Sequence, residues 1–290
     1  MSYERHEDMV GPSRARPEWW RLGAGIVLSF AVLWIGSSIV VSIVFSLIGI
    51  EQGRLMLDSV SSGGTPAGTY LVLFLVSLIG LGPLILARPL HGRRAITLFG
   101  PFGRAVLDFA LSLRALAILF FVLFLLPGGE QPEQAMPFGH WLTFLPLTVL
   151  AIFVQVTAEE VAFRGYLQSE LAARVRSPLV WMIAPSVVFG LVHMSPETGA
   201  DAGIIAFSAF LFAVSAADLT ARTGTLGAAI ALHFSNNLLA IALVAFDGPH
   251  SSLALYAYSY GVEELSTGDY IVQLAVTGVS WLTVRVALRV

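Results

Sequence analysis

Apolar residues run along most of this chain in blocks of about twenty, the length that spans a bilayer as a helix, with polar residues gathered between the blocks. Runs of this kind, lacking the alternation of a barrel strand, predict membrane helices that satisfy their own backbone in hydrocarbon. Eight are placed, at about 22–49, 68–89, 104–126, 141–164, 178–195, 202–221, 224–246 and 269–288. Residues 1–21 are polar and carry both signs of charge, which predicts a solvated, poorly ordered tail rather than a signal peptide. Trp19, Trp20 and Arg21 then read as an interfacial anchor. The expected fold is an all-α polytopic membrane protein with one eight-helix domain over 22–290. No period repeats, and the two halves share no motif, which weakens an inverted-repeat transporter reading.

Composition agrees with that class. The 290 residues are 56% hydrophobic and 12% charged, about half the charge of a soluble domain. Cysteine is absent, excluding disulfides, thiolate metal sites and a cysteine nucleophile. The net charge of −3 argues against a nucleic-acid partner. All 16 basic residues are arginine, consistent with a GC-rich bacterial coding bias. Most of them lie in the N-terminal tail, after the second, fourth and sixth spans, and at the C-terminus. Glu130, Glu133, Glu197, Asp201, Glu263 and Glu264 occupy the opposite loops. The positive-inside rule then puts both termini in the cytoplasm and requires an even number of spans.

Three interruptions of the apolar pattern carry candidate chemistry. They are Thr157-Ala158-Glu159-Glu160-Val161-Ala162-Phe163-Arg164, Phe189-Gly190-Leu191-Val192-His193 and His233-Phe234-Ser235-Asn236-Asn237. Ionisable groups in a span cost several kcal/mol, so they face one another and mark function. Glu160 and Arg164 share a helix face at i,i+4 and are expected to pair, leaving Glu159 to point elsewhere as a base. Glu159 and His193 each lie 17 residues from Arg176, at the turn between spans four and five, so a hairpin brings them to similar depth. His233 and Asn237 point to one side of span seven, at depths short of that estimate. A glutamate and an imidazole on one water make a general base, and an imidazole with an amide can hold an oxyanion. The same side chains, Glu159, His193 and His233, are alternatively ligands for a catalytic zinc with an open position. His-Glu-x-x-His, Gly-x-Ser-Gly and Gly-x-Gly-Asp are all absent.

In this order, the three segments resemble the CPBP family of CAAX proteases and bacteriocin-processing enzymes, also called Abi. The first matches Glu-Glu-x-x-x-Arg at Glu159, Glu160 and Arg164, and the second matches Phe-x-x-x-His at Phe189 and His193. The third is the His233 and Asn237 pair. The resemblance covers about 140–245 and implies that Glu159 and His193 activate water, that His233 and Asn237 stabilise the oxyanion, and that Glu160 and Arg164 support them. It leaves activation by glutamate alone or by metal both open, with no cofactor demanded and zinc the metal considered. An intramembrane endopeptidase acting on a leader-type or membrane-associated peptide is expected, in a bacterial inner membrane. A bacterium would lack prenylated protein substrates. The alternatives are a non-catalytic scaffold that keeps the fold and, on the intramembrane charges alone, a transporter. Asp218 and Arg222 read as a local i,i+4 pair. Asp108 and Arg114 read as snorkelling or cross-helix groups, with contact to a substrate carboxylate a second reading for Arg114. Tyr256, Tyr258 and Tyr260 read as an interfacial aromatic segment.

Overall fold

Each of the eight apolar segments is helical in the computed structural model, which describes residues 3–62, 64–126, 130–194, 202–248 and 251–290. Helix α1 is Trp19–Ile48, and α2, Ile50–Ser62, follows it where the sequence announced no helix. Next come α3, Pro66–His91, and α4, Ala95–Phe124, the latter opening with a 3-10 turn. The long α5 runs over Phe138–Arg174, α6 over Pro178–Val192, α7 over Ala202–Thr223, α8 over Gly227–Leu243 and α9 over Thr267–Leu288. Glu197 and Asp201, and the expected end of the fifth span at 195, lie outside the described residues, as does Gly63.

Among the described residues, six helices (α1, α3, α4, α5, α7 and α9) are long and apolar enough to cross a membrane. The other two, α6 and α8, are apolar but no more than 17 residues long. The outer surface is apolar too. Trp34, Leu47 and Phe124 are among many large exposed hydrophobics, Phe124 being 83% exposed. A soluble protein would not present so continuous an apolar exterior. This is an integral membrane protein.

Small residues let α7 and α8 sit deep in the bundle. Ala213, Ala216, Ala217 and Ala221 on α7 are buried, as are Ala228, Ala229 and Ala231 on α8, the composition that allows membrane helices to approach closely. Ile152, Val156 and Val161 of α5 pack with Ile230 and Phe234 of α8. Helix α3 bends through a 3-10 turn at Leu78–Gly80. A Cβ on Gly80 would lie 2.9 Å from the Cα of Ala158, so glycine lets this turn press against α5 beside Glu159. On the face joined to the 244–267 connection, three two-residue strands form a small sheet in the order β1-β3-β2. They are β1, Glu133–Gln134, β2, Val244–Ala245, and β3, Tyr256–Ala257. Phe246, Tyr258 and Tyr260 cluster beside it with ring centroids 5.1–5.9 Å apart.

The N-terminal segment corrects the expectation of a solvated tail. Glu4–His6, Glu7–Val10 and Gly11–Ala15 form consecutive helical turns in which His6, Met9, Val10 and Ser13 are buried. Tyr3 donates from its hydroxyl to Asp218 at 2.8 Å, and Trp281 Nε1 donates to the same carboxylate at 3.0 Å. Both chain ends therefore meet at one end of the bundle. Gly224, with φ +67°, completes the seat, since a Cβ there would lie 2.1 Å from the carbonyl oxygen of Arg5. The segment was illegible because its many charged residues do stay exposed, while its burial rests on a few groups such as His6 and Ser13, the latter donating to Glu170 at 2.7 Å. Arg104 is paired with Asp8.

Candidate active site

Helix α5 supplies the acids. Its α-helical part ends at Glu160 and gives way to a π-helical stretch, Val161–Gln168, before α-helix resumes. Such π segments occur often at functional sites. Glu160 is fully buried and Arg164 nearly so, and the expected pair forms: Arg164 Nη1 donates to Glu160 Oε1 at 2.9 Å. The guanidinium also lies 4.7 Å from the Phe189 ring centre, and it donates to the carbonyl of Ala213 at 3.3 Å. One turn later Gln168 repeats that contact, donating to the carbonyl of Ala217. Together they pin α5 to α7.

Glu159 points away from this pair, as its position on the helix implies. Its Oε1 accepts a 2.6 Å hydrogen bond from Gln155 Nε2, one turn earlier on α5. Its Oε2 is buried and has no hydrogen-bond partner among the described residues. That oxygen lies 3.7 Å from His233 Nε2. His233 is held through its other nitrogen, since Nδ1 lies 2.8 Å from Glu160 Oε1. Glu160 already accepts from Arg164, and a carboxylate can only accept, so Nδ1 carries the proton there. The rings of Phe212 and Phe189 flank the imidazole at 5.1 and 5.9 Å. Asn237, one turn on, donates from Nδ2 to Gln155 Oε1 at 3.1 Å. Here too α-helix ends at the functional residue, with a second π stretch over Leu238–Leu243.

The structure thus gathers Glu159, Glu160, Arg164, His233 and Asn237. His193 stands apart from that network. It lies at the end of α6, exposed, with Nδ1 2.7 Å from the carbonyl oxygen of Phe189. A carbonyl only accepts, so Nδ1 is the protonated nitrogen and Nε2 of the neutral ring bears the lone pair. The Phe189 ring packs tilted against this imidazole, with centroids 4.5 Å apart, and edge-on to that of His233 at 5.9 Å. No hydrogen bond joins His193 to either glutamate among the described residues, so equal depth did not by itself produce contact. The reason is local: the ring is turned back onto its own helix.

As a test of metal fit, Glu159 and His233 approach one another, but His193 is not a third donor beside them. Among the described residues no three His, Asp or Glu side chains form a group that could hold a metal ion. The donor set therefore does not fit a three-ligand zinc site. Sequence reasoning missed Gln155. Its signal was present in the i,i+4 spacing to Glu159, but a neutral amide in an apolar run draws less notice than a charge.

Fold and site together define a helical integral membrane protein with a buried centre of two carboxylates, an imidazole, a guanidinium and two amides. Residues 141–239 match the family described as Rce1-like, type II CAAX prenyl endopeptidase Rce1-like, and this match supports the likeness of that segment to the CAAX protease, or CPBP, family. The matched segment contains every residue of the network, from Gln155 to Asn237. Comparison with curated proteins and with solved structures gave no match.

Proposed function

We propose that this protein is an intramembrane endopeptidase that hydrolyses a peptide bond with water activated by Glu159. The observation that carries this reading is the buried Glu159 Oε2, without a hydrogen bond among the described residues and 3.7 Å from His233 Nε2, inside the family-matched segment. A buried carboxylate oxygen with unused acceptor capacity is poised to take a proton. In the proposed reaction water attacks the scissile carbonyl as its proton passes to Glu159 Oε2. The Nε2 lone pair of His193 orients the same water. Asn237 Nδ2–H and protonated His233 Nε2 donate to the developing oxyanion. The proton on Glu159 then goes to the leaving nitrogen as the C–N bond breaks, yielding a carboxylic acid and an amine and returning Glu159 to its carboxylate form. Glu160 and Arg164 hold the His233 ring in place.

The substrate proposed is a membrane-associated or leader-type peptide. An apolar groove of about 350 Å³ runs between α1, α3, α5 and α6, lined by Phe30, Pro83, Phe163 and Val192, and suits an apolar substrate segment next to the site. The remaining elements of this reading are eight spans, with α6 and α8 as short ones, cytoplasmic termini and residence in a bacterial inner membrane. The test uses purified full-length protein and two quenched fluorogenic peptides with a CAAX-type C-terminus, one S-farnesylated and one unmodified. Cleavage that disappears in Glu159→Ala supports the reading, and the preferred probe reports whether a prenyl group is required. Undiminished cleavage by Glu159→Ala would remove Glu159 as the base.

A further inference from the structure

Gln155 is only 5% exposed, and both ends of its side-chain amide are engaged. Nε2 donates to Glu159 Oε1 at 2.6 Å, and Oε1 accepts from Asn237 Nδ2 at 3.1 Å. This arrangement has a direction that cannot be reversed. Turning the amide over would set oxygen against a carboxylate oxygen and NH2 against NH2, replacing two attractions with two repulsions. The carboxylate therefore dictates the orientation of Gln155, and Gln155 dictates that of Asn237. The Asn237 oxygen faces the other way, accepting from Asn236 Nδ2 at 3.3 Å.

We infer that Gln155 is a positioning residue that couples the proton acceptor of the reaction to the oxyanion donor. This inference rests on the peptidase reading above and goes beyond it. The bond to Glu159 engages Oε1 and fixes the carboxylate so that Oε2, which has no hydrogen-bond partner among the described residues, is the freer oxygen to take the proton from water. The bond from Asn237 uses one N–H and turns the amide so that the second N–H remains for the oxyanion. One buried side chain on α5 thereby aligns two groups on different helices, α5 and α8. Gln155 itself touches neither water nor substrate in this scheme. Its effect is exerted through Glu159 and Asn237, and misplacement of reacting groups by about 1 Å can cost about 100-fold in rate.

The experiment measures kcat and KM for the quenched peptide that the wild-type protein cleaves, using the full chain in detergent micelles. Gln155→Leu keeps the volume and removes both polar ends. It is expected to lower kcat by about 10- to 100-fold, while KM changes by less than about 3-fold, because the substrate contacts are untouched. Gln155→Asn keeps both amide ends but shortens their reach, and is expected to fall between Gln155→Leu and wild type. It also serves where Gln155→Leu does not fold, as judged by its thermal midpoint. A purely structural role predicts losses that multiply with those of a second site. The coupling proposed here predicts that Gln155→Leu combined with Asn237→Ala is no worse than the poorer single variant, within about 3-fold. Wild-type kcat in both Gln155 variants, or multiplicative losses in the double variant, would overturn the inference. If Glu159→Ala also retains cleavage, or if wild type cleaves neither peptide, the peptidase reading falls and this inference with it. An inactive Glu159→Ala beside fully active Gln155 variants removes the inference alone.

Discussion

Helix α5 carries two buried acidic centres, about 15 Å apart along its axis, and they are built in opposite ways. At Glu170 both carboxylate oxygens are engaged. Oε1 accepts from Ser13 at 2.7 Å and from Arg93 at 3.4 Å, while Oε2 accepts from Arg174 at 2.8 Å and lies 3.0 Å from His91 Nδ1. Arg93 spreads its remaining donors over Ser169, Thr97 and the carbonyl of Met9, and His91 Nε2 bonds to the Tyr166 hydroxyl. At the other centre, the Oε2 atoms of both Glu159 and Glu160 are buried without hydrogen-bond partners among the described residues. Two arginines with a histidine and a serine surround one acid, whereas at the other centre an arginine and a histidine reach only Oε1 of Glu160 and a glutamine reaches only Oε1 of Glu159. A saturated buried network makes a rigid joint, and one with unused acceptors keeps capacity for chemistry. Charge alone would not have told these centres apart. Their difference lies in how many donors reach each oxygen.

The largest effect that probes this contrast is on catalysis. Glu159→Gln should lower peptide cleavage by about 1,000-fold, within the range of lost general-base catalysis, with a thermal midpoint close to wild type. A comparable loss of stability would show that Glu159 belongs with the structural acids. Glu170→Ala should do the reverse. It strands Arg93 and Arg174 and should destabilise by about 3–5 kcal/mol, the cost of breaking a buried pair, with cleavage per folded molecule nearly unchanged. Thermal unfolding in detergent and activity normalised to folded protein check both halves, and abolished cleavage at unchanged stability would erase the distinction.

Acid should act first on the N-terminal segment that feeds Glu170. Burial, against the Trp181 ring at 4.6 Å, lowers the pKa of His6 from 6.5 to about 4, with Glu7 opposing the shift and Arg14 adding to it. Because the folded value lies below the unfolded one, the unfolded chain binds the extra proton. The stabilisation is full above pH 6.5 and is lost as pH falls toward about 4. The loss is on the order of 3 kcal/mol. Limited proteolysis should then release residues 3–15 at pH 4.5 and not at pH 7.5, and His6→Phe should flatten this dependence. Release that is equally fast at both pH values would show that His6 does not hold the segment. The smallest effect is expected from Ser13→Ala, which removes one donor from a carboxylate that keeps its arginines. A loss of about 1–2 kcal/mol is expected, read from the same thermal unfolding.

Much of this architecture was legible because hydrocarbon leaves a chain few choices. All eight apolar blocks are helices, and the i,i+4 spacings of Glu160 with Arg164 and of Asp218 with Arg222 produced the expected pairs. Asp108 pairs across helices, accepting from Thr225 at 2.6 Å. What escaped the sequence depends on distant partners. The segment before Trp19 has no periodicity, and its burial follows from Glu170, Asp218 and Trp181 far along the chain. The π segments reflect which carbonyl each amide reaches once neighbours are packed, a choice that no residue type announces. His193 was placed by depth, but its rotamer follows from the nearby carbonyl of Phe189.

The seat of the N-terminal segment has a consequence for the order of assembly. Tyr3 and Ser13 are made long before Asp218 and the Trp281 that shares it. During synthesis the opening turns have no complete dock until α9 has entered the bundle. This segment therefore closes its end of the bundle rather than nucleating it, and its docking reports that α7 and α9 have arrived.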